Sequence, residues 1–185
     1  MLLEIWNTFI HTLQNFGAMT LFFLRLLQYT PAVFFTRFRL VVYQVYNAGA
    51  LSLVVIMISG LFVGGVLALL AYSSLEQFNA EDTTGIFAGL GLIKGVGPVF
   101  TALLFAGRAG TALTSEIGLM KATDQLSAME MMAVDPLRYV AVPRFIGGLI
   151  AMPLLTAIFT GIGLFGAHLV AVEQLGVDVG SYWQQ

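Results

Sequence analysis

The chain has 185 residues, of which 58% are hydrophobic and only 10% are charged, and its mean hydropathy is +0.90. A soluble domain carries roughly 25% charged residues, so this composition predicts an integral membrane protein. The net charge of −2 gives no indication of nucleic-acid binding, and the lack of cysteine excludes disulfides and thiolate metal sites.

Residues 1–39 are predicted to form an interfacial helix followed by a second interfacial or re-entrant piece. In residues 1–16 apolar side chains recur every three or four positions and polar side chains occupy the other face, which is typical of an amphipathic helix lying in the interface. Residues 18–35 are apolar but contain Pro31. We expect Pro31 to break the helix, because its ring removes a hydrogen-bond donor and clashes with the preceding turn.

Three later segments are long and apolar enough to cross a bilayer, namely residues 48–72, 85–107 and 145–172. A helix of roughly 25 residues is about 37 Å long, enough to cross the hydrocarbon with some tilt. Gly60 and Gly64 in the first segment form a small-xxx-small pair, which lets another helix approach closely.

The second segment contains two residues that are unusual for a membrane helix. Lys94 stands inside it, where a charge costs about 3 kcal/mol at the bilayer centre. Two interpretations are open: Lys94 extends to an interface or a water-filled vestibule as a structural cation, or it contacts an anionic headgroup. Pro98 is expected to bend the helix.

Residues 108–144, between the second and third segments, are the one long polar interruption of the oily chain. They contain eight charged residues: Arg108, Glu116, Lys121, Asp124, Glu130, Asp135, Arg138 and Arg144. Ser127 and Glu130 fit a capping box at the start of a short helix over residues 127–134. Asp135 and Pro136 predict a helix start, with Asp135 as the N-cap and Pro136 in the first helical position.

Two interpretations of this polar segment follow from its residues alone. It is either a docking surface for a partner that drives the membrane part, or a solvated loop whose methionines pack on their own chain. The cluster of Met129, Met131 and Met132 suits a deformable apolar contact. In both cases the segment must lie outside the hydrocarbon, where water or a partner satisfies its polar groups.

The distribution of basic residues predicts the topology. Residues 73–84 carry three acidic residues and no Lys or Arg, whereas the polar segment holds four basic residues, and Arg37 and Arg39 precede the first span. The positive-inside rule therefore places the polar segment in the cytoplasm and residues 173–185 on the periplasmic side. We predict one all-α membrane domain over residues 1–185, without an internal repeat.

No catalytic motif is evident. His11 and His168 share no ligand spacing, and the sequence contains no HExxH, GxSxG or Walker A motif. We expect no catalytic residue, no metal and no cofactor on this chain, so any ATP and Mg²⁺ that the function needs are expected on another chain.

The polar segment resembles the MlaE/YrbE permease family, the membrane subunits of MCE-type ABC transporters. The residues that carry the likeness are 105–144, with the sequence FAGRAGTALTSEIGLMKATDQLSAMEMMAVDPLRYVAVPR. The family pattern is close to FAGR-G-A-AEIG-M-TEQ-A-E-M-VDP-R followed by PR. The likeness extends from the N-terminal helix through the third span.

The resemblance implies a function and a set of partners. The family moves phospholipids between Gram-negative membranes and maintains outer-membrane asymmetry from a multi-pass position in the inner membrane. Its permease forms a homodimer that assembles with the ATPase MlaF, the STAS-domain protein MlaB and a periplasmic hexamer of the MCE protein MlaD. Phospholipid would occupy a cavity between the two permeases, and ATP binding would collapse that cavity through a coupling helix in each permease.

The resemblance also assigns candidate residues. The ATPase-docking candidates are Glu116, Gly118, Asp124, Gln125, Glu130, Met131, Asp135, Pro136 and Arg138. The lipid-cavity candidates are Lys94, Gly95, Pro98 and Arg108. At two of these positions the chain departs from the family pattern, because Asp124 replaces a glutamate and Gly95 replaces an acidic residue.

The family has five spans, so we expect two further spans C-terminal to residue 185. Two other classes of protein compete with the permease hypothesis. One is an integral-membrane enzyme that modifies lipid, motivated by Lys94 and Arg108. The other is a purely structural scaffold that uses its glycine-rich spans for assembly.

Overall fold

The computed structural model describes the backbone of residues 2–183 and the side chains of residues 10–34, 37–180 and 182. Over these residues no strand occurs, so the all-α prediction is confirmed. The helices are α1 (Leu2–Thr36), α2 (Phe38–Glu76), α3 (Thr84–Gly91), α4 (Gly97–Ala122), α5 (Gln125–Met131), α6 (Val142–His168) and α7 (Val179–Trp183). A 3-10 turn covers Glu81–Thr83, and π-helical turns cover Leu92–Val96, Leu137–Ala141 and Leu169–Gln174.

Three helical segments of the described chain are long and apolar enough to cross a membrane, which matches the predicted number. They are Phe38–Glu76, Glu81–Ala122 and Leu137–Gln174, and each contains one predicted span and extends beyond it. The first has 39 residues and is therefore about 58 Å long, nearly twice the hydrocarbon thickness of about 30 Å. The ends of these helices must therefore project into the interfaces or into water.

The prediction of two separate elements before residue 36, with a break at Pro31, is wrong, because α1 is one helix from Leu2 to Thr36. A proline inside a helix costs about 3 kcal/mol, so other contacts must offset the loss. Leu26 and Val33, seven residues apart on one face of α1, are both buried in a cluster with Val142 and Ile146 at the start of α6. This packing on either side of the proline holds α1 as one helix.

Helices α2 and α6 are joined along a seam of glycines. A Cβ atom added to Gly60 would lie 2.9 Å from the carbonyl oxygen of Phe159, and Gly64 lies against the backbone of Gly163. Gly166 makes a similar backbone contact with α2. The small-xxx-small pair therefore does bring another helix close, and the neighbouring helix belongs to the same chain.

Two of the π-helical turns each precede a proline by two residues. The amide of Gly97 donates to the carbonyl oxygen of Leu92, five residues back, just before Pro98. The amide of Val142 donates in the same way to Leu137, just before Pro143. Because proline lacks an amide proton and its ring needs space in the preceding turn, a widened turn accommodates it without breaking the helix. A π-helical turn before a proline therefore lies in both the second and the third span.

The polar segment forms a helical hairpin, which we call the polar hairpin, comprising the end of α4, α5 and the chain up to Arg138. The predicted capping box is wrong: α5 begins at Gln125, and Ser127 already lies in its first turn. The left-handed backbone of Asp124, with φ of 54°, makes the corner, and its carbonyl accepts the amide of Ala128 at 2.9 Å. The predicted cap at Asp135 is confirmed, since its Oδ1 accepts the amide of Leu137 at 3.0 Å.

The opposite end of the bundle is closed by α7. Tyr182 is buried in a cluster with Ala68, Ala88 and Ala167, and its hydroxyl lies 3.3 Å from the carbonyl oxygen of Leu164. Burial raises the pKa of the Tyr182 phenol above its ordinary value. This packing ties the segment after the third span back onto the ends of α2 and α3.

Candidate functional site

A groove of about 630 Å³ lies between the first half of α2, the second half of α4 and the start of α6. Its walls are mostly apolar and include Ala48, Leu51, Phe105, Leu113, Leu149 and Met152. Its four polar lining side chains are Gln44, Asn47, Glu116 and Arg144. The volume lies within the range of about 300–1,000 Å³ that is common for small-molecule pockets.

The polar side chains of the groove collect at one end. Gln44 and Asn47 lie one turn apart in the first third of α2, just before the predicted span that begins at residue 48. Glu116 lies six residues before the end of α4, about 9 Å along the helix axis. The groove therefore has a polar mouth, formed by these residues and Arg144, beside the polar hairpin, and an apolar length that follows the spans.

Arg144 and Glu116 form an ion pair at the mouth. The Nη2 atom of Arg144 lies 2.5 Å from the Oε2 atom of Glu116. The side chain of Arg144 is only 10% exposed, whereas that of Glu116 is 60% exposed. The Nη1 atom of Arg144 is buried, and no atom of the described residues accepts a hydrogen bond from it. A buried guanidinium N–H without an acceptor is costly, so this atom needs a partner.

Arg108, a predicted lipid-cavity residue, has a structural contact instead of a place in the groove wall. Its Nη1 atom donates to the hydroxyl of Ser52 on α2 at 2.9 Å, and this hydroxyl donates in turn to the carbonyl oxygen of Ala48 at 2.8 Å. Ser52 is buried. The contact fixes α4 against α2 beside the groove, while the guanidinium itself is not among the lining groups.

The other three lipid-cavity candidates lie in the first half of the second span, before the part that lines the groove. Lys94 and Gly95 fall in the π-helical turn and are exposed, as is Pro98. None of the three lines the groove. Their role toward lipid, and the choice between the two interpretations of Lys94, stay predictions.

Gly95→Ala is expected to leave stability intact. A Cβ atom at Gly95 would meet nothing within 4 Å, and alanine is favoured over glycine in a helix by up to about 1 kcal/mol. The variant adds no charge to a span in which a charge costs about 3 kcal/mol at the bilayer centre. Thermal unfolding of the full-length protein in detergent measures the effect, and a lower midpoint than that of the wild type would mean that this turn is packed against something.

The docking candidates do not form one patch. Glu130, Met131 and Met132 lie exposed at the end of α5, which we call the hairpin tip. Asp124 and Gln125 form the corner between α4 and α5. Arg138 instead lies 4.1 Å from the centre of the Tyr29 ring in α1.

The remaining docking candidates lie apart from the hairpin tip. The Nε atom of Arg138 lies 3.4 Å from Asp135, and Pro136 begins the following helix. Gly118 is exposed on α4, and Glu116 belongs to the groove mouth. The tip is therefore the part of this set that is free to meet a partner.

The groove was not predicted from the sequence. Glu116 and Arg144 are 28 positions apart, and nothing in the local pattern pairs them. Gln44 and Asn47 did offer a signal, because two amide side chains one turn apart in a mostly apolar helix indicate a polar contact there. Among the described residues, no group of three or more His, Cys, Asp and Glu side chains could hold a metal ion.

Three helical segments long and apolar enough to cross a membrane, with a polar hairpin between the second and the third, define a multi-pass α-helical membrane protein. The family model described as "Permease MlaE" matches residues 41–185. The chain belongs to the MlaE permease family.

The relatives agree with this assignment. The "Intermembrane phospholipid transport system permease protein MlaE" of Haemophilus influenzae is 56% identical over 79% of this chain and 56% of its own length. A probable ABC transporter permease protein of Rickettsia bellii is 33% identical over 98% of this chain and 71% of its own. One from Synechocystis is 33% identical over 73% of this chain and 51% of its own. The chain thus spans little more than half the length of the Haemophilus protein.

Proposed function

We propose that this chain is the membrane-embedded part of an ABC transporter permease that moves phospholipids between the inner and outer membranes of a Gram-negative bacterium. The observation that carries the proposal is the similarity to the Haemophilus phospholipid transport permease over most of this chain. The groove supports it, because an apolar channel with a polar mouth suits an amphiphile.

In this proposal the energy comes from a separate chain. An ATPase of the MlaF type would hold ATP and Mg²⁺ and bind the polar hairpin from the cytoplasm. Two exposed methionines at the hairpin tip support this assignment, since large apolar side chains in water commonly mark a protein contact. A second permease, an MlaB-type STAS protein and an MlaD-type hexamer would complete the assembly in the inner membrane.

The test is affinity purification of the full-length protein from its native membrane in mild detergent, with mass spectrometry of everything that accompanies it. We expect an ATPase, an MCE protein and bound phospholipid. A matched preparation of an unrelated multi-pass protein controls for abundant membrane contaminants. Recovery of the permease without any ATPase would contradict the proposal.

A further inference from the structure

We propose that the groove between α2, α4 and α6 binds one phospholipid that carries a primary ammonium group, with its phosphate on Arg144 and its ammonium on Glu116. The inference rests on the proposed function and adds to it a site within a single permease chain and a headgroup class. It starts from a buried donor of the groove, Nη1 of Arg144, that lacks an acceptor among the described residues.

The phosphate position follows from Arg144. Its Nη2 atom is bound to Glu116, while Nη1 is buried without an acceptor among the described residues, in a side chain that is nine-tenths buried and lines the groove. Guanidinium N–H groups form strong, charge-assisted hydrogen bonds with phosphate oxygens. A phosphate at the mouth would therefore satisfy the donor that the described residues leave without an acceptor.

The ammonium position follows from Glu116. Its carboxylate is 60% exposed and lies beside the guanidinium, so the mouth presents a negative and a positive group together. A carboxylate has room for about four hydrogen bonds, of which Arg144 uses one. A purely anionic headgroup would be repelled by this carboxylate, whereas a headgroup with a phosphate and a primary ammonium satisfies both groups.

The acyl position follows from the walls. Below the mouth the groove is lined by apolar side chains from Leu51, Phe105, Leu149 and Met152. From Arg144 to Met152 the helix rises about 12 Å, close to the roughly 15 Å thickness of one leaflet. One acyl chain can therefore lie along the groove while its headgroup stays at the level of the interface.

The experiment uses a photo-crosslinking amino acid at Leu149 in the full-length protein, in vesicles of equal parts phosphatidylethanolamine and phosphatidylglycerol. The control position is Leu154, which is exposed on α6 away from the groove. Mass spectrometry of the adducts gives the ratio of the two lipids at each position. We expect ethanolamine lipid to be enriched about tenfold at Leu149, as one charge-assisted hydrogen bond allows, and not enriched at Leu154.

Two substitutions test the assigned contacts. Glu116→Gln keeps an acceptor for Arg144 but loses the charge, and should abolish the enrichment at Leu149. Arg144→Lys keeps the charge but loses the forked guanidinium, in which Nη1 and Nη2 can bind two different groups, and should lower the adducts of both lipids. Glu76→Gln, an exposed glutamate at the other end of α2, should match the wild type.

Several outcomes would overturn the inference: unchanged enrichment in Glu116→Gln, equal lipid ratios at Leu149 and Leu154, or crosslinks from Leu149 to a second permease or to a later part of the same chain. ATP-dependent lipid transfer by the same preparations separates the two proposals. Normal ATP-dependent lipid transfer without enrichment of ethanolamine lipid at Leu149 would overturn this inference alone. A wild-type permease that does not associate with an ATPase would overturn the proposed function.

Discussion

Gly64→Ala is expected to prevent stable packing of the first and third spans. A Cβ atom at Gly64 would lie 2.6 Å from the carbonyl carbon and 2.8 Å from the Cα atom of Gly163. Both are backbone atoms, which cannot turn aside as a flexible side chain would. Forcing an atom into such a contact costs about 3 kcal/mol or more, and α2 and α6 would have to separate along their shared seam.

The measurement is thermal unfolding of the full-length protein in detergent. A loss of 3 kcal/mol corresponds to a decrease in the midpoint of roughly 10 °C for a chain of this size, or to failure to accumulate in the membrane. Gly161→Ala is the matched control on α6, because a Cβ atom there would meet nothing within 4 Å. Equal midpoints for Gly64→Ala and Gly161→Ala would contradict the glycine seam.

Met131→Asp is expected to weaken ATPase association strongly while leaving the fold intact. Met131 is 84% exposed and Met132 is 68% exposed, at the end of α5 on the polar hairpin. An apolar side chain that fills a partner's pocket typically contributes 2 kcal/mol or more, so an aspartate there should weaken binding at least about 30-fold. Exposed substitutions usually change stability by less than about 0.5 kcal/mol.

Binding of the purified ATPase to the full-length permease in detergent gives the affinity. Phe78→Asp is the control, since Phe78 is 78% exposed in the turn at the other end of the bundle. Met131 is a sharper test than Arg138, because reversing Arg138 would also remove its contacts with Tyr29 and Asp135. ATPase affinity that is the same in Met131→Asp and wild type would remove the hairpin tip from the interface.

The sequence predicted the features that depend on composition and on local chemistry. Three apolar segments of sufficient length had to become helices, because a bilayer leaves the backbone no other partner. The cap at Asp135 and the close approach at Gly60 and Gly64 also follow from neighbouring residues.

The features that the sequence analysis missed or mispredicted depend on packing between distant parts of the chain. Pro31 stays inside α1 because Leu26 and Val33 pack on α6, more than a hundred positions away. Glu116 meets Arg144 only after α4 and α6 are brought together. The capping box failed for a local reason, because the left-handed corner at Asp124 started the helix two residues before Ser127.

In the proposed function, the full-length permease moves phospholipid with energy from a separate ATPase. The most direct measurement is phospholipid transfer between vesicles by the full-length permease reconstituted with its ATPase and MCE partners. We predict transfer that requires both ATP and the ATPase and that is lost in Met131→Asp but retained in Phe78→Asp. Chemical turnover of lipid by the permease alone, or transfer that is indifferent to the ATPase, would contradict the account.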